Sequence, residues 1–255
     1  MSDDARAWPA DWSALYDMTD LDRLPLRGFY RSLAADRTHS LLDLGCGTGS
    51  VTLDIITPLP PGARVVGVDL SPKMIEIARS RAPDLEWLVG DLCAPPVTGP
   101  FDLITVCFHT LQMLLDDAQL AQAFRSAAGL LAPGGRFAFD IYQPNLDWLA
   151  RLDPTPVVVR RVRDDKGRWL EVRDGGATYD PVTRVLSSQW TLHDGETGQL
   201  LPLAPLPLRV RQYFPDEVAA HLAAAGLRIA ERYGDFDRRA FGPGTIRQIL
   251  VCERA

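Results

Sequence analysis

The chain has 255 residues, 46% of them apolar and 24% charged, which suits one α/β domain with an elaboration or two small domains. Its 27 basic and 33 acidic side chains give a formal charge of −6, which argues against the broad basic footprint of a DNA- or RNA-binding surface. The scattered Cys46, Cys93, Cys107 and Cys252, an acidic opening segment without an apolar signal core, and no apolar run near the roughly 20 residues of a membrane span argue against a disulfide or zinc scaffold, secretion and membrane insertion, so a soluble cytoplasmic enzyme with reduced cysteines is expected. Residues 1–40 carry Trp8, Trp12, Tyr16, Phe29 and Tyr30 and predict aromatic-studded helices. Ser40–Leu44 reads as a buried strand, the glycine turn Gly45-Cys46-Gly47-Thr48-Gly49 follows it, and Val51–Ile56 falls in the next helix. Arg64–Asp69 is a second buried strand, after which Ser71 as cap and Pro72 at the first helical position open a helix through Lys73–Arg81. Leu85–Gly90 and Phe101–Cys107 read as the third and fourth strands. Gln119–Leu131 is strongly helical, ends at Pro133-Gly134-Gly135, and leads to a fifth strand, Arg136–Tyr142. Continuous apolar strands alternating with helices predict a doubly wound, mainly parallel α/β sheet, in which ligands sit beyond the carboxyl ends of the strands.

After Tyr142 the pattern changes. Val157–Arg163, Trp169–Arg173, Arg184–His193 and Leu208–Phe214 alternate polar and apolar residues between turns at Asp174-Gly175-Gly176, Asp180-Pro181 and Asp194-Gly195, which predicts an antiparallel insertion of about four strands. Pro215–Ala225 reads as a helix ended by Gly226, and Arg228–Tyr233 and Ile246–Glu253 as two final strands. The expected organisation is an N-terminal helical cap (1–37), an α/β core (38–142), a β insertion (143–213) and a return of the core (214–255).

A strand running into three closely spaced glycines and a helix brings backbone against a ligand, and the triplet alone fits a dinucleotide as well as other ligands. Asp43, two residues before Gly45, would repel a pyrophosphate and suits the ammonium group of a methionine moiety. Asp69, about twenty residues beyond the loop, can accept both ribose hydroxyls of an adenosine ligand, or cap the helix at Ser71-Pro72. Asp91, after Gly90, can accept from an adenine amino group or serve a simple turn. Three acidic strand ends around one glycine loop point together to an adenosine-bearing ligand.

Leu41–Gly49, Val65–Arg79, Gly90–Leu92, Phe101–His109 and Leu130–Asp140, with the Leu131-Ala132-Pro133-Gly134-Gly135-Arg136 element, resemble in order and spacing the motifs of class I S-adenosylmethionine-dependent methyltransferases. The resemblance covers residues 38–142 closely and the last helix and strands more loosely. It implies a seven-stranded sheet with the last strand antiparallel, S-adenosylmethionine as cofactor, and methyl transfer as the activity. By the same resemblance Asp43, Gly45, Cys46 and Gly47 would border the methionine part and Asp69 the ribose. Leu70 and Met74 would flank the adenine, Gly90, Asp91 and Leu92 would meet its edge, and Phe108 and His109 would line the floor of the site.

The stretch Cys107-Phe108-His109-Thr110 stands where base-modifying relatives of that family carry an Asn/Asp-Pro-Pro-aromatic motif, so a small-molecule acceptor is expected and nucleic acid is not. The β insertion resembles the substrate-covering lids of small-molecule N- and O-methyltransferases, with a dimerisation sheet as the lesser alternative, so a monomer or a homodimer fits. Leu15-Tyr16-Asp17 with Gly28-Phe29-Tyr30-Arg31 resembles their N-terminal cap. His109, at a strand end, is the candidate general base for a hydroxyl or ammonium acceptor, or a residue that shapes the pocket. Tyr16 and Tyr142 are the other candidates to assist the chemistry, and Tyr30, Trp190, Arg211 and Tyr213 join them as candidate acceptor contacts. His39, His193 and His221 lack metal-ligand spacing, so no metal is expected. Three other readings stay open: intramolecular attack on the cofactor's methionine chain, a non-catalytic partner subunit, and a nicotinamide oxidoreductase.

Overall fold

The structure, a computed structural model, describes residues 8–17, 24–34, 38–153, 155–164 and 166–255. The opening residues 1–7 and parts of the expected cap (18–23 and 35–37) lie outside the described residues.

A seven-stranded sheet organises the chain. Its strands are β1 (Ser40–Leu44), β2 (Arg64–Asp69), β3 (Glu86–Val89), β4 (Phe101–Val106), β5 (Leu131–Tyr142), β11 (Leu227–Tyr233) and β12 (Arg247–Arg254), in the order β11-β12-β5-β4-β1-β2-β3. The strands β1–β5 pair in parallel, and β12 lies antiparallel to both β5 and β11, which is the sheet implied by the resemblance. Successive residues of each strand feed opposite faces, so the apolar runs serve two cores. Leu42, Val66, Ile104, Phe137 and Leu250 pack on one side under α5 (Asp117–Leu130) and α7 (Pro215–Ala224). Leu41, Val65, Leu103, Ala138 and Val251 pack on the other under α2 (Leu24–Leu33) and α3 (Ser50–Ile55). α4 (Pro72–Arg81) covers the β3 edge through Ile75 and Ala78 against Trp87.

Two elements depart from the sequence pattern. β5 begins at Leu131, which pairs with Phe101, and Pro133-Gly134-Gly135 forms a bulge inside the strand rather than a turn before it. Gly134 sits at φ +76°, and a Cβ on Gly135 would come 2.9 Å from the Phe101 carbonyl oxygen, so glycine is required at both. Ser71 occupies the N-cap of α4, but its hydroxyl donates to the Trp8 carbonyl at 2.9 Å and leaves the helix end uncapped by a side chain.

The insertion is an antiparallel sheet of five strands, one more than expected: β6 (Val157–Arg163), β7 (Trp169–Asp174), β8 (Thr178–Asp180), β9 (Val185–Asp194) and β10 (Leu206–Arg211). The three-residue β8 pairs with β9 across a turn fixed by Asp180, and offers too little apolar alternation to be read from sequence. One face of this sheet packs Val162, Leu170, Val172, Leu192 and Leu206 against Trp12 of α1 (Ala10–Tyr16). A short helix, α6 (Leu146–Leu149), links β5 to the insertion. No helix among the described residues is long and apolar enough to cross a membrane.

Candidate functional site

A cavity of about 510 Å³ opens beyond the carboxyl ends of β1, β2, β3 and β4, where α1 and the inner face of the insertion meet the sheet. Its floor holds Gly45, Gly47, Asp69, Gly90 and Asp91, with Leu70, Met74 and Leu92 beside them. Phe108, His109 and Tyr142 form one wall. Trp8, Trp12 and Tyr16 come from the cap, and Trp190, Val172, Leu192 and Leu208 from the insertion.

The glycine loop is held open by backbone conformation. Gly45, Gly47 and Gly49 all have positive φ, which only glycine adopts at little cost. A Cβ on Gly45 would lie 2.5 Å from Thr110 Cγ2, so the loop can approach the β4 end only without one. A Cβ on Gly47 would point toward Tyr16 Cε1, 3.7 Å away, where the cavity now has bare backbone. Asp69 is half-buried at the cavity floor; its Oδ2 accepts from Gly47 N at 2.9 Å and its Oδ1 from Ser71 N at 2.8 Å. Burial raises its pKa above the ordinary carboxylate range, and the two amide donors oppose that shift. Asp91 Oδ1 accepts from Cys93 N at 2.8 Å while the residue lines the cavity.

Phe108 and His109 both adopt left-handed backbone angles, φ 61° and 60°, which are costly for residues with a Cβ. Asp140, fully buried on β5, fixes them. Its Oδ1 accepts from Phe108 N at 2.9 Å and its Oδ2 from His109 N at 3.3 Å. The imidazole Nδ1 of His109 lies 3.0 Å from Asp140 Oδ2, and the ring stacks on Tyr142 with centroids 3.7 Å apart. Gln112 braces the same wall, accepting from Tyr142 N and donating to the Arg211 carbonyl. Neither Asp140 nor Gln112 was singled out from the sequence. Asp140 carries one available signal: a carboxylate in the otherwise apolar run Phe137–Tyr142 at a strand end, next to nothing in sequence that would pair it.

Five candidates stand elsewhere. Asp43 is 1% exposed, and its carboxylate does not reach the cavity: it accepts from Thr52 Oγ1 at 2.5 Å and Thr105 Oγ1 at 2.8 Å. Its pKa rises to about 6, chiefly through burial, against the two threonine hydroxyls. Cys46 is turned beneath the loop against Trp87 and Gly67. Tyr30 is buried in the core and donates its hydroxyl to Asp140 Oδ1 at 2.6 Å, so it contacts the site only through that carboxylate. Arg211, 5% exposed, is spent on Asp117 and Glu217 at 2.7 and 3.1 Å. Those two acids and His221 form a metal-like group, but Arg211 is the cation that fills it. Tyr213 lies past the end of β10 and is fully buried, its hydroxyl donating to the Leu114 carbonyl at 2.6 Å. In each case a polar group in a core had to find an internal partner, which a side chain offered to a ligand would lack.

The cap is latched to this floor at several points. Tyr16 packs edge-on to Trp8 and Phe108, with centroids 5.2 and 6.4 Å apart. Asp17 accepts from Thr48 Oγ1 at 2.8 Å and pairs with Arg81. Trp12 Nε1 donates to the Ala204 carbonyl at 2.8 Å, tying α1 to the insertion.

Residues 41–135 match the family model described as "Methyltransferase domain". The chain is 38% identical over 180 residues to trans-aconitate 2-methyltransferase of Methylobacterium radiotolerans, covering 69% of this chain and 64% of that protein. It is 30% identical to the protein of the same description from Klebsiella pneumoniae, covering 69% of this chain and 67% of the relative. A solved S-adenosylmethionine-dependent methyltransferase from Clostridium acetobutylicum superposes with a TM-score of 0.77 at 20% identity, over 96% of this chain and 98% of that one. The chain thus spans about two thirds of the length of these two curated relatives.

Proposed function

The chain belongs to the class I S-adenosylmethionine-dependent methyltransferases, and from that footing we propose that it transfers the cofactor's methyl group to a nitrogen or oxygen of a small-molecule acceptor. The observation that carries the reading is one cavity whose floor offers Asp69, Asp91 and bare glycine backbone, and whose wall offers His109. The donor set fits the cofactor. Asp69 would take the ribose hydroxyls, Leu70, Met74 and Leu92 would sandwich the adenine, and Asp91 would accept from its amino group. Gly45 and Gly47 would lie against the methionine part, and Asp43 would support them from below through Thr52 and Thr105.

When bound, S-adenosylmethionine supplies an electrophilic methyl group on a sulfonium. The chain's own residues do the rest. Positioning provides much of the acceleration, because in-line approach of a lone pair is an orientational demand. With Asp140 Oδ2 3.0 Å from His109 Nδ1, the carboxylate would favour a proton on Nδ1, which would leave Nε2 to accept the proton from a hydroxyl or ammonium acceptor. The apolar wall formed by Tyr16, Phe108 and Trp190 keeps water from the reacting atoms.

For the insertion (143–213), the lid reading gains support from its inner face, whose Val172, Leu192 and Leu208 line the cavity. The trans-aconitate relatives support a small molecule as acceptor, and the four buried free cysteines suit a reducing cytoplasm.

Calorimetry with S-adenosylmethionine and its demethylated product tests the proposal. Asp69→Ala removes charge-assisted hydrogen bonds and is expected to weaken binding about 10- to 100-fold. Absence of binding to the unaltered protein at millimolar concentration overturns the reading, and isotopic methyl incorporation across an acceptor panel names the substrate.

A further inference from the structure

His109 faces two cavities. The second, of about 380 Å³, shares Phe108, His109, Tyr142 and Arg160 with the first, and is otherwise lined by Pro25, Leu26 and the segment around Asp235–Arg247. The charged groups of the two cavities differ. The first presents Asp69 and Asp91 on its floor with Arg160 and Arg209 at its wall, whereas the second sets Arg239 and Arg247 beside the shared Arg160, with Asp235 and Asp237 among them.

The pairing of Arg239 and Arg247 orients them without saturating them. Arg247 donates from Nη1 to Asp235 Oδ1 at 3.0 Å and lies over the rings of Phe236 and Tyr142, 5.3 and 5.8 Å from their centroids. Its Nη2 has no hydrogen bond among the described residues. Arg239 forks Asp237 through Nε and Nη2, and its Nη1 is unused in the same sense. A guanidinium has five donors in a rigid plane, so one carboxylate partner leaves an edge suited to a second oxyanion. The protein is acidic overall, but screening beyond about 8 Å at physiological salt lets a local cluster of arginines act alone.

We propose that the second cavity, lined by Arg160, Arg239 and Arg247, is the acceptor's anion subsite, and that the acceptor carries a carboxylate or phosphate group that docks there while its methylated atom reaches His109 at the neck between the cavities. The inference rests on the methyltransferase reading and adds to it the substrate class and the side of approach. Tyr142 belongs to both surfaces: one face of its ring stacks on His109 and Arg247 lies near it, so an anion bound at Arg247 sits one aromatic ring from the base.

The test uses the full chain saturated with S-adenosylhomocysteine, titrated calorimetrically with inorganic pyrophosphate and with trans-aconitate. One of the two anions is expected to bind with a dissociation constant below about 1 mM. Arg239→Gln combined with Arg247→Gln is expected to weaken it at least tenfold, with S-adenosylhomocysteine affinity and the circular dichroism spectrum unchanged. Tighter binding of pyrophosphate assigns a phosphorylated acceptor, and tighter binding of trans-aconitate a polycarboxylate. No binding of either anion to the cofactor-loaded protein, or equal binding to the double variant, overturns the subsite. Failure of S-adenosylhomocysteine itself to bind defeats the methyltransferase reading instead, so the two failures are told apart. Arg160→Gln, on the wall common to both cavities, is expected to weaken the anion as well.

Discussion

Two buried carboxylates, Asp43 and Asp140, brace the site from behind its lining. Asp43 ionises with difficulty: burial raises its pKa from an ordinary 3.8 to about 6, against the help of Thr52 and Thr105. A raised carboxylate pKa means that the folded state binds the proton more tightly than the unfolded chain. Its stabilising contribution is therefore complete below about pH 4 and is lost as the pH rises through about 6. The loss amounts to about 3 kcal/mol at 1.36 kcal/mol per unit. Urea unfolding of the wild type and Asp43→Asn from pH 4 to 8 is expected to show the difference between them falling by that amount as pH rises; a constant difference across the range overturns the assignment. Asp140 acts on geometry instead. Asp140→Asn keeps Oδ1 for the Phe108 amide and the Tyr30 hydroxyl but replaces Oδ2, which faces both His109 N and His109 Nδ1, with a donor. Nitrogen-15 NMR of His109 is expected to show the Nδ1–H tautomer in the wild type and Nε2–H in the variant, with methyl turnover down about 100-fold. An unchanged tautomer excludes the positioning role. Residue types at the strand ends were legible in the sequence because loop glycines and terminal aspartates follow from backbone approach to a ligand. Asp140, Gln112 and the burial of Tyr30 and Tyr213 were not, because each depends on a partner about 30 to 110 positions away.

At the level of elements, the sheet strands could be read because each is a continuous apolar run bounded by turn residues. The irregular pieces could not. β8 is too short to alternate, and the Pro133-Gly134-Gly135 bulge imitates a turn. α1 is the element on which the site leans most and whose own sequence supports it least. Seven residues are too few for a helix to persist alone in water, so its order comes from docking. Trp12 is the main anchor, 3% exposed among Val162, Leu170, Val172, Leu192 and Leu206, with its indole N–H on Ala204. Truncating a buried Trp costs about 3–5 kcal/mol when the structure around it stays in place. Here undocking the helix is the easier response. Trp12→Ala is expected to expose the amides of residues 10–16 to rapid hydrogen exchange while the sheet stays protected. The cofactor must then redock α1, and each 1.4 kcal/mol of lost docking energy is tenfold in affinity, so S-adenosylmethionine is expected to bind at least tenfold more weakly. Unchanged affinity would remove α1 from the site.

Across the whole molecule, the cavity is assembled from three stretches far apart in the chain: residues 8–16, residues 45–115 with Tyr142, and residues 159–210. The sheet and the insertion each have a core, and the α1 stretch docks on both through Trp12 and Tyr16. The contacts that join the three include Ser71 to Trp8, Thr48 and Arg81 to Asp17, Tyr16 to Phe108, Trp12 to Ala204, and Gln112 to Arg211. A ligand at their meeting point is therefore a strut between bodies, and its binding energy is distributed over all three. Ligand that binds only the folded form at 100 times its dissociation constant stabilises by about 2.7 kcal/mol. Where that stabilisation appears distinguishes the two readings of the insertion. A lid shares it: saturating S-adenosylhomocysteine is expected to slow hydrogen exchange in α1, the 45–49 loop, β9 and β10 together, while α5 and α7 on the opposite side of the sheet stay unchanged. A dimerisation sheet does not share it, and protection confined to residues 45–110 would reject the lid. The distribution of slowed amides, more than the size of the thermal shift, decides whether the insertion closes the site.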